Sequence, residues 1–237
     1  MRVETFSHTV KVGSNSLSNK TVIVVDVLRA TTSIICAIKN GAKQVVPAAD
    51  AGAAVAIASR LGGGCVLAGE RGGFKLNGFT LGNSPFEFSP ENVADRSVVF
   101  STTNGTVAIH AVQDAKNVLI GAMINRTAVA KRALALGEDI IIACAGTDGL
   151  VSADDICAAG AIADALARNA DVPLEMSDLT LICSMIYADW IDGRADLSMT
   201  KHFAYLQKMG FEKDVEFCFK QDLTDVVPLY ENGIIVK

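Results

Sequence analysis

Residues 22–33 read VIVVDVLRATTS. Val22, Ile23, Val24 and Val25 run unbroken into Asp26, and Arg29, Thr31, Thr32 and Ser33 follow directly. An apolar β-branched run without alternation is the pattern of a strand buried on both faces. The polar cluster then sits at the strand's C-terminal end, where open α/β sheets bind ligands. A carboxylate, a guanidinium and hydroxyls gathered there can hold a metal ion and an oxyanion together, which points to chemistry on a phosphate or a similar anion.

The same strand-then-polar-loop pattern recurs along the chain. The sequence predicts strands at Thr21–Val25, Gln44–Pro47, Cys65–Ala68, Ser97–Ser101, Asn117–Gly121 and Asp139–Cys144. Between and after them it predicts helices at Thr32–Asn40, Ala51–Leu61, Thr106–Ala115, Thr127–Leu136 and Ser152–Asn169. Short intervals and the order strand, loop, helix predict an α/β fold, a mostly parallel sheet with helices on both faces. Asp50 and Ser152 are placed to cap their helices, with Asp154 and Asp155 as acidic first-turn charges. In the last third, Ser177–Ala188, Ser198–Met209 and Glu212–Phe219 read as helices, and short strands near Val226–Val227 and at Ile234–Val236 finish the sheet. No linker or repeat interrupts residues 1–237, so one continuous domain is expected.

Half of the 237 residues are hydrophobic, yet no uncharged apolar run reaches the ~18 residues of a membrane span. The opening MRVETFSHTV lacks the apolar core of a secretory signal. The six cysteines are scattered through apolar segments without a Cys-x-x-Cys pair, as expected of buried free thiols in a reducing cytoplasm. A net charge of −5 with no Lys/Arg cluster disfavours nucleic-acid partners. No phosphate-loop or dinucleotide fingerprint follows a strand, and His8, His110 and His202 sit in no recognisable constellation. A homodimer is the default expectation for a chain of this kind.

Five polar loops follow predicted strands: Asp26 to Ser33, Gly69-Glu70-Arg71-Gly72-Gly73, Thr102-Thr103-Asn104-Gly105-Thr106, Asn125-Arg126-Thr127 and Gly146-Thr147-Asp148-Gly149. If the strands are parallel, all five share one rim. The Thr102–Thr106 loop suits an anion, with hydroxyl donors, a glycine for close approach and a helix start behind it. Arg29, Arg71 and Arg126 each read as a bidentate oxyanion binder on the rim or as half of a surface ion pair. Asp26 reads as a helix cap, a cation ligand or a nucleophile, and Glu70 as a metal ligand, a base or an arginine's partner. Leu28 stands where haloacid-dehalogenase phosphatases carry a second Asp, so that acid/base is missing.

Asp26-Val-Leu-Arg-Ala-Thr-Thr, Gly69-Glu-Arg-Gly-Gly, Gly78-Phe-Thr-Leu-Gly-Asn-Ser-Pro85, Thr102-Thr-Asn-Gly-Thr106, Cys144-Ala-Gly-Thr147, Ala153-Asp-Asp155 and Gly210-Phe-Glu-Lys-Asp214 occur in this order. Together they closely resemble the 2-phosphosulfolactate phosphatases of coenzyme M biosynthesis over nearly the whole chain. Ser33 departs from the third Thr of many members but keeps the hydroxyl. The resemblance implies a three-layer α/β/α fold with a mixed, mostly parallel sheet, and a Mg²⁺-dependent, cytoplasmic phosphatase. The expected reaction converts 2-phospho-3-sulfolactate, a small phosphorylated and sulfonated anion, to 3-sulfolactate and phosphate. Another small 2-phospho acid is the alternative substrate, and a non-catalytic binder of an anionic metabolite the alternative class. On this reading Asp26, Arg29 and Glu70 are catalytic, and Asp26, Glu70 and Asp155 hold Mg²⁺. Thr31, Thr32, Arg71, Asn83, Thr102, Thr103, Asn104, Gly105, Thr106, Asn125 and Arg126 would bind substrate.

Overall fold

A computed structural model describes residues 1–9 and 17–237. Along the chain run β1 (Arg2–Phe6), β2 (Lys20–Val25), α1 (Ala30–Lys39), β3 (Gln44–Pro47), α2 (Ala51–Leu61), β4 (Val66–Arg71), β5 (Phe74–Lys75), α3 (Pro90–Val93), β6 (Ser97–Ser101) and α4 (Gly105–Ala111). There follow β7 (Asn117–Gly121), α5 (Arg126–Leu136), β8 (Asp139–Cys144), α6 (Ala153–Asn169), β9 (Glu175–Met176), α7 (Asp178–Ile191), α8 (Lys201–Lys208), α9 (Glu212–Cys218), β10 (Leu229–Glu231) and β11 (Ile234–Val236). All the strands join one mixed sheet in the order β5-β4-β6-β3-β11-β10-β7-β2-β8-β1-β9.

The strand that opened the argument lies deep in this sheet, parallel to β7 on one side and β8 on the other. Its residues alternate between two cores. Val22 and Val24 pack with Ile34 and Ile35 of α1 and Ile109 of α4. Ile23 and Val25 pack with Val129 of α5 and Ile162 of α6 on the opposite face. Burial on both faces explains the unbroken Val/Ile run, and it makes three layers, helix, sheet and helix. At Gly160 of α6 the chain comes so close to α7 that a Cβ would lie 2.0 Å from the Cys183 carbonyl oxygen. Only glycine fits there, and the close crossing stacks α7 behind α6.

The sheet is not parallel throughout. β4, β6 and β3 form one parallel block, and β7, β2, β8, β1 and β9 another. Between them the β10–β11 hairpin pairs antiparallel to β7 and to β3, so the two blocks run in opposite senses. A single rim shared by all strand ends is therefore not the reason the loops meet. Five strand steps separate β2 from β6, and a twist of about 20–25° per step turns the far block by more than ~100°. The loops after β4 and β6 do reach the loop after β2, where Gly105 lies against Asp26 and Ala30.

Several boundaries shift from the sequence reading for local reasons. β4 extends to Arg71, so Glu70 sits on a strand end rather than in a loop. The strand read near Val226–Val227 begins instead at Leu229, after Pro228, which has no N–H to donate and gives only its carbonyl to Ile120 N–H at 2.9 Å. The helix read at Ser198–Met209 is a 3-10 turn, Leu197–Met199, then α8. Asp50 caps α2 as expected, accepting from Ala53 N–H at 2.8 Å. Ser152 does not cap α6; its hydroxyl donates to the Asp154 carboxylate. Asp154 and Asp155 are buried partners of other groups, not solvated helix-start charges. All six cysteines are free, and among the described residues no helix is long and apolar enough to cross a membrane.

Candidate active site

The loop after β2 folds back on itself. The Asp26 carbonyl accepts from Thr31 N–H at 2.9 Å and from the Thr31 hydroxyl at 2.8 Å. The Thr32 hydroxyl donates to Val27 O and that of Ser33 to Asn83 O. These hydroxyls thus brace the turn from strand to helix, and Thr31 and Thr32 do not line the cavity beside it. Asp26 does line it. Its Oδ1 accepts from Ala30 N–H at 3.2 Å, so it is a helix cap as well as a cavity group. On its far side Gly105 packs so closely that a Cβ would stand 2.8 Å from Asp26 Oδ2 and 2.4 Å from Ala30 Cβ. The glycine of the Thr-rich loop is there for this contact.

The cavity measures about 380 Å³, a size suited to a small-molecule ligand, within the usual ~300–1,000 Å³. Asp26, Arg29, Glu70, Asn83, Thr102, Thr103 and Asn104 face it. Residues of the last third close it: Lys201, His202, Tyr205 and Leu206, all from α8. Thr147 and Asp148 also line it, and Tyr205 donates to Gly72 O at 3.0 Å.

The electrostatics of the wall are specific. Arg29 is buried and its fork is already used: Nη1 donates to Asp214 Oδ2 at 2.6 Å, Nη2 donates to Gly73 O at 2.9 Å, and the guanidinium lies 4.1 Å from the Phe211 ring centre. Ser84 donates to the other Asp214 oxygen at 2.7 Å. Glu70 accepts from Thr103 N–H and Gly73 N–H, each at 2.8 Å, and ties the loops after β4 and β6 together. His202 Nδ1 sits 3.2 Å from Asp154 Oδ2, and Lys201 lies 3.4 Å from Asp148. Each cation on the wall therefore has its own carboxylate, whereas among the described residues Asp26 and Glu70 form no ion pair. Burial, with Asp154 and Glu70 adding to it, pushes the Asp26 carboxyl up to about 6 against the pull of His202 and the Ala30 N–H. Burial opposes a charged His202, but Asp154 and Asp26 outweigh it and raise the imidazole pKa.

Other expected residues lie elsewhere. Asp155 does not line the cavity; it accepts from Val27 N–H at 2.9 Å and Gly146 N–H at 3.0 Å, joining two loops, and burial with its acidic neighbours pushes its pKa well up. Arg71 turns away to Glu70 O and the Ser101 hydroxyl. Thr106 pairs with Thr102 in reciprocal bonds that shape the loop. Asn125 is consumed by Ala122 N–H, Ile120 O and Val226 O. Arg126 binds Asp222 and Asp164 and covers the Tyr187 ring.

The sequence reading missed α8 and Asp214. The signals were slight: His202, Tyr205 and Leu206 fall on one helical face, and Asp214 ends a quoted family motif.

Could these residues hold a divalent cation? Among the described residues no three His, Cys, Asp or Glu side chains gather round one point. What the wall does offer is hard oxygen: Asp26, Glu70 and the Asn83 Oδ1, which is buried without a hydrogen-bond partner. A sparse oxygen set of this kind fits Mg²⁺, which keeps several waters and uses one or two carboxylates.

Comparison with known proteins places the chain among the phosphoric monoester hydrolases. Within that class the chain belongs to the 2-phosphosulpholactate phosphatase family, whose model matches residues 7–233. It is 36% identical over 237 residues to a protein of Clostridium novyi named "Probable 2-phosphosulfolactate phosphatase", covering 100% of both chains. A protein of the same name from Caldicellulosiruptor saccharolyticus is 38% identical over 244 residues, again covering 100% of both. One from Caldanaerobacter subterraneus is 36% identical, covering 99% of this chain and 98% of its own.

Proposed function

We propose that the cavity hydrolyses 2-phospho-3-sulfolactate to 3-sulfolactate and phosphate, with Mg²⁺ bound at Asp26 and Glu70. The observation that carries the reading is the charge balance of the wall. Among the described residues Arg29, His202 and Lys201 each form an ion pair with another carboxylate, and neither Asp26 nor Glu70 has an ion-pair partner of its own. A substrate bearing phosphate, carboxylate and sulfonate meets net negative charge there unless a cation enters with it. Mg²⁺ supplies that charge and polarises phosphoryl oxygens.

The residues of the chain do the rest. Asp26, held by the Ala30 N–H, and Glu70, held by the Gly73 and Thr103 N–H groups, would hold the cation. Arg29, locked by Asp214, Gly73 and Phe211, keeps a fixed positive charge beside the phosphoryl group, and a preorganised charge in a dry site stabilises a transition state most. Thr102, Thr103, Asn104 and Asn83 are the polar groups that position the carboxylate and sulfonate arms. Helix α8 covers the cavity and limits water.

The test is phosphate release from a panel of 2-phospho acids with Mg²⁺ and with EDTA. The sulfonated substrate is expected to give the highest kcat/KM, and EDTA to abolish turnover. Turnover undiminished in EDTA removes the cation from Asp26 and Glu70. Preference for a 2-phospho acid without a sulfonate reassigns the substrate. Ligand-induced thermal stabilisation with no phosphate released from any member makes the cavity a binding site only.

A further inference from the structure

The reading above gives His202 no task, yet its placement is that of a proton donor. Phosphate ester hydrolysis at a secondary aliphatic alcohol expels an alkoxide, a poor leaving group that needs a proton as the P–O bond breaks. His202 lies in the first turn of α8, on the cavity wall shared with Asp26, with a side chain 19% exposed. Its Nδ1 faces the Asp154 carboxylate at 3.2 Å, which assigns the Nδ1–H to that bond and leaves Nε2 as the ring nitrogen for another partner. Asp154 is itself 1% exposed, and its other oxygen accepts from the Ser152 hydroxyl. It is therefore a fixed carboxylate that sets the orientation of the ring. The charged groups facing His202 are Asp154 from α6 and Asp26 and Arg29 from the loop after β2. On its own helix Lys201 is paired with Asp148. Burial opposes the charged ring, and the Asp154 carboxylate at 3.2 Å is the group that most favours the imidazolium.

We propose that His202, oriented by Asp154, is the general acid that protonates the leaving oxygen of the phosphate ester. The proton passes from Nε2 to the bridging oxygen, and the electron pair of the breaking P–O bond stays on that oxygen, which departs as the hydroxyl of the product acid. The oxygen of the attacking water forms the new P–O bond, and the proton that water loses returns His202 to its charged form. The proposal rests on the phosphatase reading of the cavity.

The experiment compares the full-length enzyme with Mg²⁺ against His202→Asn and His202→Gln on two esters: the aliphatic 2-phospho acid, and p-nitrophenyl phosphate, whose nitrophenolate leaves without a proton. On the aliphatic ester kcat is expected to fall by about 10²–10⁴-fold, and on the aryl ester by less than about tenfold. The wild-type kcat profile for the aliphatic ester falls as pH rises through the imidazole pKa, and both variants lose that limb. NMR titration of the His202 ring is expected to give a pKa above the ordinary value, and a lower one in Asp154→Asn. Equal losses on both esters, or a basic limb that survives in the variants, overturn the assignment while leaving the phosphatase reading intact. Where the aryl ester is not turned over, the limb alone decides. A wild-type enzyme that releases phosphate from neither ester brings down the phosphatase reading and this proposal with it.

Discussion

The loops after β2 and β7 leave adjacent parallel strands and carry the same kinds of residue, yet they do opposite things. Asp26 and Arg29 face a cavity, whereas Asn125 and Arg126 lie within the protein's own bonding. The difference is in what is left over. All the polar capacity of Asn125 that the loop needs goes to Ala122, Ile120 and Val226, and Arg126 is spent on two carboxylates and a ring. Asp26, by contrast, is a buried carboxylate with no ion pair, held by a single N–H at Oδ1 among the described residues. On the proposed reading function resides in charge that the fold does not pair, so the two loops should respond to mutation in opposite ways, activity for one and stability for the other.

The largest effect is expected at Asp26. Asp26→Asn keeps the cap to Ala30 but removes the charge, and kcat should fall by at least ~10²-fold. Stability should move the other way. Burial raises the folded-state pKa from 3.8 to about 6, so the fold prefers the protonated acid. The contribution of Asp26 is then full below about pH 4 and is lost as pH rises through about 6. At pH 8 the ionised group costs about 3 kcal/mol. In EDTA the variant should therefore melt several degrees above wild type at pH 8 and level with it at pH 4, with Mg²⁺ closing the gap for wild type alone. A variant as active as wild type, or less stable at pH 8, would break the contrast between the loops.

Gly105→Ala tests the same site from behind. The added methyl overlaps Ala30 and crowds Asp26 Oδ2, and a displacement of about 1 Å at a catalytic group costs up to ~10²-fold. We expect kcat to drop by about 10–100-fold with a weaker Mg²⁺ requirement curve, read from initial rates at graded Mg²⁺. Full activity would show that the loop gives way without moving Asp26.

What the sequence revealed and concealed follows the same division. Long strands such as β2 and β8 were legible because burial on both faces leaves Val22–Val25 and Ile140–Ala143 unbroken by a polar residue. β1 was not, since Arg2 and Glu4 alternate with buried Val3 in RVETF and blur the pattern, and β5 and β9 are too short for any period. Asp26, Glu70, Asn83 and the Thr102–Asn104 segment were legible as polar groups at strand ends or in a folded loop. The α8 wall was not, because Arg29 and Asp214 are 185 positions apart and His202 and Asp154 are 48 apart. Such partners are chosen by the packing of α8 and α9 over the sheet, and nothing in local spacing announces it. The identity of a polar residue was readable; whether its bonds were already taken was not.

On the β7 side the expected currency is stability. Asn125→Ala strands one N–H and two carbonyls in a fully buried position. Buried groups left unpaired cost about 1–3 kcal/mol each before water or relaxation recovers part, so a net loss of about 2–4 kcal/mol is expected in urea titration. The kcat of the folded enzyme should stay within about twofold of wild type. A tenfold loss of kcat at unchanged stability would return Asn125 to the substrate site.

The smallest effect is expected at Arg126, and it separates the two arginines most cleanly. Its side chain is 17% exposed, its partners lie near the surface, and its bonds to Asp222 and Asp164 are 3.1 and 3.4 Å long, so Arg126→Lys, which keeps the charge, should cost about 0.5–1 kcal/mol, the worth of a partly solvated pair. The same substitution at Arg29 meets a different geometry. One planar fork there bridges Asp214 and the Gly73 carbonyl in a position 2% exposed, and a lysine reaches one partner at most. Arg126→Lys should leave kcat/KM within about twofold, while Arg29→Lys lowers it by at least about tenfold, measured side by side on the same 2-phospho acid. If the two variants lose activity equally, the charge of the β7 loop reaches the substrate after all, and the contrast between neighbouring loops collapses.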